Sequence, residues 1–299
     1  MKPHSKEQNI GDARRILRLL ITPQVLPLVI LGGLVLFIYG EALGYAFFHG
    51  KINPSQSHAT VVPFVSLLMI WLKRDQAPSS FDKSSPLGWP LLVFAFALHG
   101  LGILAEEQRL SLLSLVAILF AYVILVGGFS LARFLFVPIL FLMFLIPYGH
   151  IEEGMSRFLR LVATRLGTGL ALWTGVDAQV QGTVVWVSGS KLQIAAPCSG
   201  LRSLSTLLAL AVVFIHLTEP SLLGKGILLL AAVPIAVLGN AVRLGLVLCS
   251  ADSFGVDLAV KVHDYSGLFV FAFAFSCLLG LGRLLEWIRS RRNTGSSAP

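Results

Sequence analysis

The sequence predicts an all-α polytopic membrane protein of about eight transmembrane helices, with both termini on the inner side. Three observations carry that prediction. Hydrophobic residues make up 56% of the 299 residues and charged residues only 13%, too little charge to cover a water-exposed surface. Apolar runs approaching the roughly 20 residues that span a bilayer recur from the N-terminal region to the end of the chain. The basic residues that raise the pI to about 9.7 gather in short loops and at the ends, which is the positive-inside pattern rather than a nucleic-acid footprint.

The N-terminus carries Lys2, Lys6, Arg14, Arg15 and Arg18 and is placed inside. The first run, from about Gln24 to Phe48, is too long for a signal-peptide core and is read as a retained span. His49–His58 forms an outer loop. The second span runs from about Ala59 to Leu72 and stops at Lys73-Arg74, before an inner Ser- and Pro-rich linker over Ala77–Pro86. Spans three (Pro86–Leu104) and four (Leu110–Phe129) make a hairpin with Glu106-Glu107-Gln108-Arg109 at its outer turn. Arg133 marks the inner side again, and span five (Phe134–Tyr148) returns outward.

From Gly149 to Pro197 the pattern changes. Charges interleave with Phe158, Leu159, Val162 and Leu166 at helical spacing, which predicts an amphipathic helix over Ile151–Leu172 lying at the outer interface. Gln179–Trp186 and Lys191–Ala195 are two short strands of a β-hairpin turning at Ser188-Gly189-Ser190. This segment is too small to bury a core of its own, so the chain is one integral-membrane domain over 1–299. Within it, 1–20 is a cytoplasmic basic segment, 149–197 the extracytoplasmic element, 198–288 the last three spans and 289–299 an inner tail. Spans six (Leu201–Leu217), seven (Gly226–Leu248) and eight (Tyr265–Ile288) follow, with Ser250–His263 as an outer segment between the last two.

Charge counting tests the arrangement. Lys2, Lys6, Arg14, Arg15, Arg18, Lys73, Arg74, Lys83, Arg133, Lys225, Arg283, Arg289, Arg291 and Arg292 fall inside, 14 of the 23 basic residues. That bias supports termini on the inner side. The same topology brings Cys198, Arg243 and His263 to the outer face.

Those residue types in those positions permit thiol chemistry. Cys198 lies between Pro197 and Ser199-Gly200, just before a helix whose N-terminal N–H groups and dipole favour a thiolate. His263 is placed to act as general acid and base. Arg243 within an apolar helix costs about 2.5–3.5 kcal/mol at the membrane centre, less near the surface. It calls for an anionic partner: a thiolate, an oxyanion or a substrate carboxylate. Bland readings stand beside these. Arg243 could instead reach the outer surface or pair with Asp252 or Asp257, and His263 could be an interfacial residue. Arg202, four residues after Cys198, is equally a lipid-headgroup anchor or a substrate contact. Cys249 and Cys277 have apolar neighbours and read as packing. His49, His58, His99 and His150 lack metal-ligand spacing and read as structural or interfacial. Glu41 is a costly charge left without an assigned role.

Pro197-Cys198-Ser199-Gly200-Leu201-Arg202, then Asn240-x-x-Arg243, then His263-x-x-x-Gly267, each assigned to the outer end of a C-terminal span, together resemble the exosortase/archaeosortase family. The chain length, the helix count and the Val62-Pro63 turn into the second span fit the same family. The resemblance implies a membrane cysteine transpeptidase with Cys198 as nucleophile, Arg243 as stabilising arginine and His263 as third catalytic residue. Ser199, Gly200, Arg202, Asn240, Asp264 and Gly267 are the expected substrate-binding or supporting residues. Histidine rather than arginine at the third position favours the bacterial exosortase branch, hence an inner membrane with the site facing the periplasm and an association with exopolysaccharide.

Implied substrates are exported proteins whose C-terminal tail has a Pro-Glu-Pro-like motif, one transmembrane helix and a basic cluster. Such a tail is cleaved near the motif, held as a thioester and passed to an acceptor. Expected partners are these proteins and membrane lipids, not nucleic acid, and no cofactor or metal is expected. The extra C-terminal domain of some relatives is expected to be absent. Two other readings remain: hydrolysis without transfer, and a transporter or assembly scaffold in which Arg243 and Glu41 line a pathway. A redox role is disfavoured without a paired cysteine.

Overall fold

The computed structural model describes residues 26–52, 58–78, 85–147, 150–194, 200–219 and 221–295. Cys198 and Ser199 lie outside the described residues, as do the basic N-terminal segment and much of the 49–58 loop and the 77–86 linker.

The described chain is mostly helical: α1 (Leu26–Ile52), α2 (Val62–Leu72), α3 (Gly88–Leu104), α4 (Gln108–Phe141) and α5 (His150–Trp173), then α6 (Leu201–Thr218), α7 (Leu222–Phe254) and α8 (Val256–Gly295). Among the described residues, four segments are long and apolar enough to cross a membrane: Gln108–Leu145, Leu201–Thr218, Leu222–Phe254 and Val256–Arg291. Gly33–His49, Ala59–Leu72 and Gly88–Leu104 are shorter apolar helices. Phe37, Phe64, Trp89, Leu104 and Leu230 point outward, as side chains solvated by lipid do. The protein is a multi-pass membrane protein.

Local chemistry sets the helix boundaries. Pro63 sits in the first turn of α2, where its missing N–H breaks no bond. The Ser221 hydroxyl accepts from the Gly224 amide and caps α7. α4 is broken at Gly128, whose φ of 66° and ψ of −161° interrupt the helix, a conformation readily open only to glycine. The hairpin of α3 and α4 turns at Glu106-Glu107 as the sequence predicts.

Two expectations are corrected. The strands form a three-stranded antiparallel meander rather than a hairpin: β1 (Ala178–Gln181), β2 (Val184–Val187) and β3 (Ser190–Gln193). The span from Gln179 to Trp186 is divided by a tight turn in which Gly182 adopts φ +64°. The outer segment Ser250–His263, expected to separate the last two spans, is helical on both sides of Gly255. α7 continues to Phe254, Gly255 turns the chain at φ +86°, and α8 begins at Val256. His263 therefore lies two turns inside α8 instead of preceding it.

Small residues let the C-terminal helices approach closely, the usual device where lipid supplies no hydrophobic drive. A Cβ on Gly167 of α5 would lie 2.8 Å from Leu244 Cβ and 3.0 Å from the Ala241 carbonyl of α7. One on Gly282 of α8 would lie 2.8 Å from the Phe214 ring of α6. Leu204, Leu207, Ala211, Leu228, Ala232, Ala236, Ala274 and Leu278 close the core between α6, α7 and α8. The meander packs Val185 and Val187 on Leu244 and Leu248. Phe158 and Leu166 of α5 face outward while Leu159 and Ala163 face the protein, so this helix has an apolar side toward each.

Candidate active site

The site is assembled where the start of α6 meets the middle of α7 and the first turns of α8. Gly200 caps α6 in the left-handed region, φ +80°. A Cβ there would stand 2.7 Å from Cγ and Nδ2 of Asn240. Only glycine meets both demands at low cost. Asn240 is buried, 4% exposed, and its contact locks the entry of α6 against α7. On the other side, Ile194 is buried at the end of the meander and its amide bonds the Thr183 carbonyl at 2.9 Å. The five residues that contain Cys198 and Ser199 thus join two anchored points.

Arg243 lies one turn beyond Asn240 on the same face of α7. Its Nη2 donates to the His263 carbonyl at 2.7 Å and lies 3.3 Å from His263 Nε2. A Cβ on Gly267, one turn further along α8, would come within 3.4 Å of the guanidinium carbon, so the glycine keeps that side of the arginine open. Among the described residues no ion pair joins Arg243 to Asp252 or Asp257, and Asp252 accepts from the Ser188 hydroxyl.

Arg202, Arg243, Asp264 and Gly267 line one cavity of about 500 Å³, together with His58, Ser203, Thr206, Leu268 and Phe271. The structure thus brings four of the sequence-nominated residues to one cavity, with Asn240 against Gly200 and His263 behind Arg243. His58, which reads as structural or interfacial in the sequence, lines the same cavity. No local pattern marks it; only the expected topology puts it on the face assigned to Arg202. Burial first, and then the positive charge of Arg202, hold the His58 imidazole below its usual pKa.

Outside the cavity, Glu41 is no longer unassigned: Gln108 Nε2 donates to its Oε1 at 2.8 Å. Cys249 is half-buried, with its Sγ 3.2 Å from the Thr174 hydroxyl.

A multi-pass helical membrane protein with a polar, arginine-walled cavity at a convergence of helices is the class that fold and site define. Residues 50–280 match the family described as transmembrane exosortase (Exosortase_EpsH). The chain belongs to the transmembrane exosortase family, which supports an enzyme rather than a passive assembly of spans. No curated protein and no solved structure matches the chain.

Proposed function

We propose that the protein is a cysteine transpeptidase that cleaves the C-terminal sorting tail of exported proteins at the outer face of a bacterial inner membrane. The observation that carries the reading is the Arg243–His263 pair set one turn from the Asn240–Gly200 contact. Cys198 is two residues before Gly200, and two trans peptides separate Cα atoms by at most about 7.6 Å. Chain connectivity alone thus lets the thiol reach that contact.

In the proposed reaction the Cys198 thiolate attacks the scissile carbonyl carbon. Arg243 stabilises the resulting oxyanion. The C–N bond breaks as the His263 imidazolium gives its proton to the leaving amine. The substrate's new carboxyl end is then a thioester on Cys198. An acceptor nucleophile loses its proton to His263, attacks the thioester carbonyl and releases the thiolate. Water in the acceptor's place gives hydrolysis. Ser199, Gly200, Arg202, Asn240, Asp264 and Gly267 shape or support the site. The substrate tail carries a Pro-Glu-Pro-like motif and a membrane helix that lies along α6–α8.

The topology proposed with it has eight spans and both termini inside, in one domain over 1–299. The segment Gln108–Leu145 has 38 residues, about 57 Å if straight, nearly twice the roughly 30 Å of hydrocarbon. Its break at Gly128 supports two passes. The test is processing of a co-expressed tail-bearing reporter by the wild type and by Cys198→Ala, Arg243→Ala and His263→Ala, with Cys249→Ala as control. Loss in the first three variants and retention in the control is expected. Processing by Cys198→Ala at the normal rate would remove the thiol from the reaction.

A further inference from the structure

The cavity beside the proposed thiol site has an unbalanced charge. Among its described lining residues are the guanidinium groups of Arg202 and Arg243, the imidazole of His58 and one acid, Asp264. Arg243 is turned to His263. Arg202 stands in the first turn of α6 and takes part in no ion pair among the described residues. Its backbone carbonyl is occupied by the Ser205 and Thr206 hydroxyls, at 3.1 and 2.8 Å, which ties down the backbone from which its side chain projects. In the same cavity, His58 Nδ1 is buried and has no hydrogen-bond partner among the described residues.

A buried ring nitrogen left without a partner is costly, and a cavity lined by two guanidinium groups and one carboxylate favours an anion over water. Arg202 offers a planar fork of N–H donors suited to a carboxylate, and His58 offers a further donor. An anion there would lie at the N-terminal end of α6, which adds its dipole.

We infer that Arg202 and His58 form a carboxylate subsite that seats one acidic side chain of the substrate tail and so registers the scissile bond against Cys198. The inference rests on the transpeptidase reading above. It concerns recognition, so it is measured by binding and not by turnover.

The probe is a fluorescent tail peptide bearing Pro-Glu-Pro, and its Pro-Gln-Pro counterpart, titrated by anisotropy into full-length enzyme carrying Cys198→Ala in zwitterionic phosphatidylcholine nanodiscs. Replacing Glu by Gln is expected to weaken binding roughly 10–100-fold, the usual range for a charge-assisted hydrogen bond. Arg202→Gln is expected to weaken the Glu peptide by a similar factor. On the Gln peptide it should have little further effect, because both changes remove the same interaction. His58→Ala should give a smaller loss with the same dependence on the Glu. Arg202→Lys should recover only part of the affinity, since an ammonium cannot fork.

Independent, multiplicative losses from Arg202→Gln and Glu→Gln would overturn the inference. So would an Arg202 effect that is the same for both peptides and appears only when anionic phosphatidylglycerol is added to the nanodiscs, because the cavity would then hold a lipid phosphate. Retained reporter processing by Cys198→Ala removes the thiol mechanism while leaving this binding result to stand or fall alone.

Discussion

Arg243 is fixed by a backbone atom of His263: its Nη2 donates to the His263 carbonyl at 2.7 Å, with the imidazole Nε2 at 3.3 Å. The carbonyl survives any substitution of the side chain. His263→Ala should therefore lower tail processing by about 10²–10⁴-fold, the scale of general acid–base catalysis, while stability changes by no more than about 1 kcal/mol. Arg243→Lys should fail to rescue activity, because a point charge cannot address the carbonyl and the ring nitrogen in the same planar geometry. Processing rates and thermal unfolding in detergent check both. Equal destabilisation by His263→Ala and Arg243→Ala would show that the ring, not the carbonyl, holds the arginine.

Gly200 carries a second prediction. Alanine there must adopt φ +80° and place its Cβ 2.7 Å from the Asn240 side chain. The left-handed conformation costs about 1–2 kcal/mol and the overlap about 1–3 more. Gly200→Ala should lower stability by about 2–4 kcal/mol and processing with it. Adding Asn240→Ala should restore only part of the loss, because Asn240 Cβ would itself be 2.9 Å away. Full restoration would mean that backbone strain contributes nothing.

These two sites show what the sequence can and cannot carry. Hydropathy and turn chemistry located most helices well, since lipid imposes a long apolar run and Pro63 punctuates it, whereas the Ser221 cap that starts α7 at Leu222 was passed over. The same reasoning set Ser250–His263 apart from both flanking spans as an outer segment because its polar residues read as aqueous. Hydropathy reports the solvent, not the backbone. Ala251, Leu258, Ala259 and Lys261 are good helix formers, and the break falls at Gly255 alone, a C-terminal glycine. The meander was under-counted because Gly182-Thr183 divides a run that still reads as one strand. The motif residues were legible as short patterns around Gly200, Arg243 and Gly267. His58 was not, because nothing local marks a histidine whose significance comes from Arg202, more than a hundred residues away in the chain.

Gly267 separates two kinds of crowding. An added Cβ would lie 3.4 Å from Cζ and Nη2 of Arg243, an ordinary contact. Gly267→Ala should cost less than about 1 kcal/mol and leave processing within several-fold of wild type. Gly267→Leu should displace the guanidinium and reduce processing by about 10²-fold, the scale of losing an oxyanion donor. The comparison needs only initial rates for the two variants at matched membrane levels. A severe defect in the alanine variant would show that the helix contact is tighter than this geometry.

At the opposite end of α6, Glu219 ties α6 to α8. Its Oε2 accepts from Arg289 Nη2 at 2.9 Å, and its Oε1 accepts from the Ser221 amide and hydroxyl, each at 2.8 Å. Burial alone would raise the carboxyl's pKa, but the Ser221 bonds and the Arg289 charge outweigh it and hold the group below its usual range. The sign then follows by linkage. The unfolded chain takes up the proton first, at about pH 4.3, so the stabilisation is complete above that value and is lost as pH falls through the lower folded pKa. Arg289 is partly exposed, with 33% of its side chain accessible, and solvent screening limits the pair. Glu219→Gln should therefore cost only about 1–2 kcal/mol at neutral pH. Thermal unfolding of wild type and Glu219→Gln in detergent, followed from neutral to acid pH, should show the two curves converging below the carboxylate range. Curves that stay parallel would place the acid sensitivity of the fold on other carboxyl groups.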